Sequence, residues 1–258
     1  MLFSQIKGAQ LNYTRLAAIC GTITFENKIN EAMQTVELFL KTVHNPVISA
    51  GFGKDSMATT LIARAVDPTL PIVCGDPPNP LNDREEHVKE AINFLGGKIT
   101  RVPYDWDVES VLNQQEQYPE GLKMQVLQKW QIERKHDGVI MGVRKAESRK
   151  RAINYALRGE IYQVKDGTWR CLPISRFTAE ESLATAIYFH APINGVYQKT
   201  RLAKSFEDIR DGTWWPHEES DAWGYNEWIK LYYPEHYDDY CRAVLSRDTS
   251  KKSRICIY

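Results

Sequence analysis

No two of the five cysteines in this 258-residue chain, Cys20, Cys74, Cys171, Cys241 and Cys256, make a Cys-x-x-Cys pair. That absence leaves a structural zinc or an iron–sulfur cluster without sequence support, and neither is expected. An odd count at wide separations also fails to make a disulfide framework and suits a reducing compartment. An excess of either charge is missing too: 33 Lys and Arg balance 33 Asp and Glu. A generic basic surface for nucleic acid is thereby disfavoured, although a local basic groove stays open. Long apolar runs are lacking. The one near the N-terminus, Leu16 to Phe25 ("LAAICGTITF"), follows Lys7 and Arg15 as a weak signal core would, yet it is too short for a span and continues into an amphipathic helix. The chain is therefore read as cytoplasmic, with no membrane partner. Internal repeats and low-complexity segments are absent. What remains is 43% apolar and 26% charged, enough to bury a substantial core in one large domain, or one domain with an appendage.

Hydrophobic spacing predicts a helix from about Phe25 to Val43, with Ile29, Met33, Val36, Phe39, Leu40 and Val43 on one stripe. Short apolar runs predict strands at Val47 to Ala50, Leu70 to Asp76, Lys98 to Tyr104 and Asp137 to Val143. Helices are expected between them, at Ser56 to Val66, Asn82 to Leu95 and within Asp107 to Lys135. Strands alternating with helices argue for an α/β fold, a mostly parallel open sheet with helices on both faces. Beyond it, Lys165-Asp166-Gly167 reads as the turn of a hairpin within Glu160 to Ile174. Thr178 with Glu181 is a capping box opening a helix to about His190. The segment from Phe206 is rich in Trp and Tyr, including Trp214, Trp215, Trp223 and Trp228, and is expected to form short helices. The organisation expected is an N-terminal extension (1–24), a nucleotide-binding domain (25–200) and a C-terminal helical extension packed on it (201–258).

The chemistry concentrates after the first strand, where "SAGFGKDS" carries Ser49, Gly51, Gly53, Lys54, Asp55 and Ser56. Small residues let backbone N–H groups approach an anion, and the following helix start adds donors and a favourable dipole. A plain strand–helix turn with a surface lysine is the competing reading. A Walker A loop is excluded, because the first glycine is too close and Asp55 stands where Ser or Thr would hold magnesium. A second cluster, "MGVRKAESRKRA", places Arg144, Lys145, Arg149, Lys150 and Arg151 after the fourth strand, where open α/β sheets bind ligands. Arginine forks suit phosphate or sulfate; a solvated basic helix face is the alternative for Lys145 and Lys150. Asp55, Asp76 and Asp83 are the acidic candidates, and the histidines show no ligand spacing. Trp214 and Trp215 read as core packing or as a stacking wall.

"SAGFGKDS" resembles the PP-loop of the ATP pyrophosphatases, Ser-Gly-Gly-x-Asp-Ser, with Ala50 and Phe52 departing from its paired glycines. Gly142, Arg144, Glu147, Ser148 and Arg151 match the Gly-x-Arg-x-x-Glu-Ser-x-x-Arg segment of the phosphoadenosine phosphosulfate (PAPS) reductase-like branch of that superfamily. Pro173, Ile174, Thr178, Asn194 and Tyr197 keep their places in a third stretch, so the resemblance covers roughly Glu31 to Lys199. It implies ATP or PAPS held by Ser49, Gly51, Gly53, Lys54, Ser56, Gly142, Arg144, Glu147, Ser148 and Arg151, with Cys74 and Gly75 near the base or ribose. Lys54, Asp55 and Arg144 would carry the chemistry, and Asp55 and Asp76 would meet Mg²⁺ through the phosphates. The family's reductases use a Glu-Cys-Gly-x-His segment that this chain lacks, which disfavours reduction.

The resemblance therefore implies an enzyme that cleaves ATP between the α and β phosphates and adenylylates an unidentified acceptor. Two alternatives stand beside it. One is a sulfonucleotide-binding or reductase-like protein. The other is a non-catalytic nucleotide-binding subunit of a nucleic-acid-modification or phage-related complex. A homodimer or a larger protein complex is compatible with each.

Overall fold

The computed structural model describes residues 13–76, 82–104, 122–199, 205–209 and 225–247. The Pro-rich residues 77–81, most of the polar stretch before Leu122, the segment with Trp214, Trp215, His217 and Trp223, and Cys256 lie outside the described residues.

In chain order, α1 (Tyr13–Cys20) and α2 (Ile23–Leu40) precede β1 (Pro46–Ser49), α3 (Lys54–Val66) and β2 (Ile72–Asp76). Then come α4 (Asn82–Leu95), β3 (Ile99–Pro103), α5 (Leu122–Glu133) and β4 (Gly138–Met141). A 3-10 turn at Lys145–Glu147 leads to α6 (Arg149–Arg158), the hairpin β5 (Ile161–Gln163) and β6 (Trp169–Cys171), and α7 (Ala179–Tyr188). The C-terminal helices are α8 (Tyr225–Tyr232) and α9 (Tyr237–Arg247).

The sheet order is β3-β2-β1-β4-β6-β5, all parallel except β5, which pairs antiparallel with β6. This is the expected mostly parallel sheet with helices on both faces. Its two-residue period is visible in the packing. Val47, Val73 and Val139 face Leu127 and Trp130 of α5, whereas Ile48, Ile72, Cys74, Ile140 and Cys171 face the larger core. The α2 stripe, Phe25, Ile29, Val36 and Phe39, is buried in that core, and Thr22 caps the helix by accepting from the Phe25 N–H at 3.2 Å. Leu16 of α1 joins the same core.

The aromatic C-terminal helices close over this layer. Trp228, Ile229, Tyr233 and Tyr240 are buried in it. Asp83, one of the acidic candidates, is spent on fastening them: it pairs with Lys199 Nζ at 2.5 Å and accepts from the Tyr233 hydroxyl.

After β1 the chain builds β2 and β3 on one side, then returns to lay β4 on the other. The crevice beyond the C-terminal ends of β1 and β4 is thus a topological switch point, where open α/β sheets bind ligands. Ser49 and Met141, paired in register, mark its floor.

Candidate functional site

The helix that follows β1 begins earlier than its apolar pattern suggests. Gly53 is its N-cap, so Lys54, Asp55 and Ser56 form the first turn of α3. Before it, Phe52 adopts a left-handed conformation (φ 60°), which costs a side-chain-bearing residue about 1–2 kcal/mol. The fold offsets this in two ways. The phenyl group is fully buried, contributing roughly 2 kcal/mol, and the Phe52 carbonyl accepts from His87 Nε2 at 2.8 Å. The departure from a glycine-paired loop thereby becomes an anchor. Ser56 Oγ accepts from the Gly51 N–H and donates to the Gly53 carbonyl, both at 3.2 Å, and the Lys54 N–H donates to the Tyr197 hydroxyl at 2.8 Å.

This loop opens onto a cavity of about 350 Å³. Ser49, Gly51, Gly53, Lys54, Asp55, Ser56, Gly75, Gly142, Glu147 and Arg151 of the sequence-derived set line it. Four cations, Lys54, Arg84, Lys123 and Arg151, face it against two carboxylates, Asp55 and Glu147. A chain with no net charge thus gathers positive charge at a helix N-terminus. That combination is suited to a polyanion.

Four residues of the set, Cys74, Asp76, Arg144 and Ser148, do not line this cavity. Cys74 is buried in the larger core, and burial pushes its thiol pKa up. Ser148 serves α6 as its N-cap, accepting from the Arg151 N–H at 3.3 Å. Arg144 is fully buried, and its fork is engaged on both sides. Nε donates to Asp55 Oδ1 at 2.6 Å, while the terminal nitrogens donate to the Glu207 carboxylate at 2.7 and 2.6 Å. Glu147 accepts from the Arg144 N–H at 2.9 Å and pairs with Arg151, so the motif after β4 is largely a self-braced turn that holds Arg151 at the cavity.

The electrostatics follow from this packing. Burial raises the pKa of Asp55, but Lys54 and Arg144 outweigh it and hold the carboxyl below its usual range. Burial and the same arginine act in opposition on Glu207, again with a net lowering. Lys54 Nζ lies 3.4 Å from Asp55 Oδ2 and 3.4 Å from the Ile209 carbonyl.

The two carboxylates expected to meet magnesium are both engaged by arginines. Asp55 is committed to Arg144, and Asp76 accepts from Arg101 at 2.7 and 3.0 Å with Arg84 3.6 Å away. Among the described residues no group of three or more His, Cys, Asp or Glu side chains is placed to hold a metal.

Sequence reasoning missed Lys123, Arg84 and Tyr104 as lining residues. Lys123 comes from a stretch whose composition carries no site signal, and it reaches the loop through α5 packing: its Nζ lies 3.6 Å from where a Gly51 Cβ would be. Tyr197 did leave a signal, since it belongs to the third family-like stretch.

No protein-family model matches the sequence, and no curated protein matches it. Solved structures do. A phosphoadenylyl-sulfate (PAPS) reductase from Candida auris, solved as a phosphate complex, is similar to 72% of this chain over 91% of its own, at 12% identity and a TM-score of 0.52. An FMN adenylyltransferase from Candida glabrata, solved with FAD and inorganic pyrophosphate, is similar over 70% of this chain and 65% of its own, just under two thirds, at 13% identity and a TM-score of 0.50. At these identities the likeness is one of fold.

Proposed function

We propose that the cavity takes ATP and that the chain cleaves it between the α and β phosphates, transferring the adenylyl group to an acceptor. The observation that carries this reading is the loop of Ser49 to Ser56 at the N-terminus of α3, opening at the sheet's switch point onto a cavity with four cationic side chains. The β and γ phosphates would lie against that helix start, and the adenosine toward Gly75 at the end of β2. In the reaction an acceptor oxygen bonds to the α phosphorus as the bond to the bridging oxygen breaks, and the electron pair leaves with pyrophosphate. Lys54, Lys123 and Arg151 offset the charge that develops on the leaving group. Arg144 acts one step back: it fixes the Asp55 carboxylate and hence the first turn of α3. The resemblance of the two motifs to the PP-loop superfamily supports α–β cleavage over γ-phosphate transfer, as does a carboxylate where a Walker A loop keeps its magnesium-binding hydroxyl.

The test is to incubate the protein with magnesium and ATP labelled at the α phosphate. Pyrophosphate should appear in step with label in AMP or an adenylylated product, and Lys54→Ala should abolish it. Release of ADP and phosphate instead would contradict the reading.

A sulfonucleotide in the same cavity is the second reading, favoured by Arg151 and by the anion-binding loop. Reduction is the less favoured part of it: burial raises the pKa of Cys20, Cys74 and Cys171, and a thiol nucleophile needs the opposite. Sulfite release from PAPS with a thiol donor, if observed, would reverse this order.

A further inference from the structure

Residues 205–209 form a turn that carries Glu207 onto Arg144. Phe206 and Ile209, on either side of Glu207, are buried in the larger core. Between them the turn is pinned by its own hydrogen bonds: the Glu207 N–H donates to Ser205 Oγ at 3.2 Å, and the Ser205 N–H donates to Asp208 Oδ2 at 3.0 Å. The Glu207 carboxylate meets Nη1 and Nη2 of Arg144 at 2.7 and 2.6 Å, one oxygen to each nitrogen. This parallel pair of bonds is the geometry in which a guanidinium takes a phosphate or sulfate group. Arg144 is fully buried, whereas the Glu207 side chain is 37% exposed, so the carboxylate stands between the fork and solvent.

The same turn reaches Lys54, whose Nζ lies 3.4 Å from the Ile209 carbonyl oxygen and 3.4 Å from Asp55 Oδ2. Arg144 in turn binds Asp55 through Nε at 2.6 Å. Two cations, Lys54 and Arg144, thus share two carboxylates, Asp55 and Glu207. Burial opposes the ionisation of both carboxyls, and the cations beside them outweigh it. The group of four is therefore balanced in charge, and through Lys54 and Asp55 it borders the nucleotide cavity. A sulfate or phosphate group entering it would find the fork taken and would bring like charge against Glu207, which costs affinity. Without the Glu207 carboxylate, two cations would face one carboxylate and two guanidinium nitrogens would be left to fill. Selectivity comes from repelling the wrong ligand as much as from attracting the right one.

We propose that Glu207 is a specificity-determining residue: its carboxylate fills, as a built-in ligand, an anion position on Arg144 and so keeps the sulfate or additional phosphate group of a sulfonucleotide out of the site. The proposal rests on the reading of the adjoining cavity as a nucleotide site. ATP does not use this position, because its phosphates have the start of α3, Lys123 and Arg151 to lie against. One side chain of the C-terminal segment thereby separates the two readings of the cavity.

Calorimetry with α,β-methylene-ATP and PAPS on the natural protein, Glu207→Gln and Glu207→Ala tests this. The natural protein should bind the ATP analogue at least about tenfold more tightly than PAPS. Glu207→Ala should raise the affinity for PAPS relative to the ATP analogue by about tenfold. Glu207→Gln, which keeps the size and loses the charge, should move the ratio the same way by less, and it carries the comparison should the Ala variant fail to fold. A residue that merely supports the fold would give no such gain. Inorganic sulfate supplies a second readout: against sodium chloride of equal ionic strength, it should raise the melting temperature of Glu207→Ala more than that of the double variant Arg144→Ala, Glu207→Ala. An unchanged ratio of the two affinities in the folded variants, or tighter binding of PAPS than of the ATP analogue by the natural protein, overturns the filter while the nucleotide reading stands. Binding of neither nucleotide by the folded natural protein overturns the nucleotide reading and the selectivity with it, even where sulfate still stabilises Glu207→Ala through Arg144.

Discussion

Gly142, just past β4, lies so close to Asp55 that a Cβ added to it would stand 2.6 Å from the Asp55 carbonyl oxygen and 2.7 Å from the Ser56 nitrogen. Both are backbone atoms of the first turn of α3 and cannot swing aside. The glycine therefore serves the close approach of two backbones at the switch point. Gly142→Ala should destabilise the protein by about 1–3 kcal/mol, as overpacking does, and should weaken ATP by displacing the helix start. Urea denaturation and calorimetry on the folded fraction read the two effects. A variant with unaltered stability would show that the two backbones are not in contact.

Removing the Arg144 guanidinium leaves Lys54 as the remaining countercharge for Asp55 and takes from Glu207 the donors of both its hydrogen bonds to Arg144. Loss of one member of a buried charge network costs about 3–5 kcal/mol, and Glu207 is partly exposed, so Arg144→Ala is expected near the lower end of that range. Lysine should not restore it, because it cannot span two carboxylates with one planar fork. Both carboxyls have lowered pKa values in the folded state. Their stabilising effect is complete above the unfolded-state value of about 4 and lost as pH falls through the lower folded value. A full loss of ATP affinity in Arg144→Ala with stability unchanged would instead mark a direct phosphate contact.

His87 clamps the Phe52 backbone through one hydrogen bond. Its Nε2–H donates to the Phe52 carbonyl, and its buried Nδ1 has no hydrogen-bond partner among the described residues. Burial is the main cause of its lowered pKa. The folded value lies below the unfolded value of about 6.5, so its contribution is intact above that pH and is lost as the pH falls toward the folded value. Stability measured from pH 7.5 to 5 should drop in the natural protein and drop less in His87→Gln. His87→Ala should also cost about 1–3 kcal/mol at pH 7.5, since a buried carbonyl loses its donor. Parallel pH profiles for the natural protein and the Gln variant would dismiss the clamp.

Much of this was legible beforehand. Asn82 to Leu95 matches α4 at both ends, and Thr178 with Glu181 makes the capping box its spacing announces, accepting from the Glu181 N–H at 3.1 Å. Helical period and capping are local, so sequence carries them. The Gly-rich loop after β1 was legible as a motif, but the start of α3 at Lys54 was not, because apolar periodicity begins only at Met57 while Gly53 sets the cap. Least legible was the division of labour among the basic residues. Arg144 and Arg151 look alike in the motif, yet one is sealed between carboxylates and the other lines the cavity. That distinction depends on Glu207, 63 residues away from Arg144 in sequence. Long-range partners of this kind leave no mark in local pattern.

Most direct of all is a crystal structure of the protein with α,β-methylene-ATP and magnesium. The β and γ phosphates should lie against the backbone N–H groups at the start of α3, with Lys54, Lys123 or Arg151 within hydrogen-bond distance and the adenine toward Gly75. Phosphates bound away from the Ser49 to Ser56 loop would contradict ATP activation at this site.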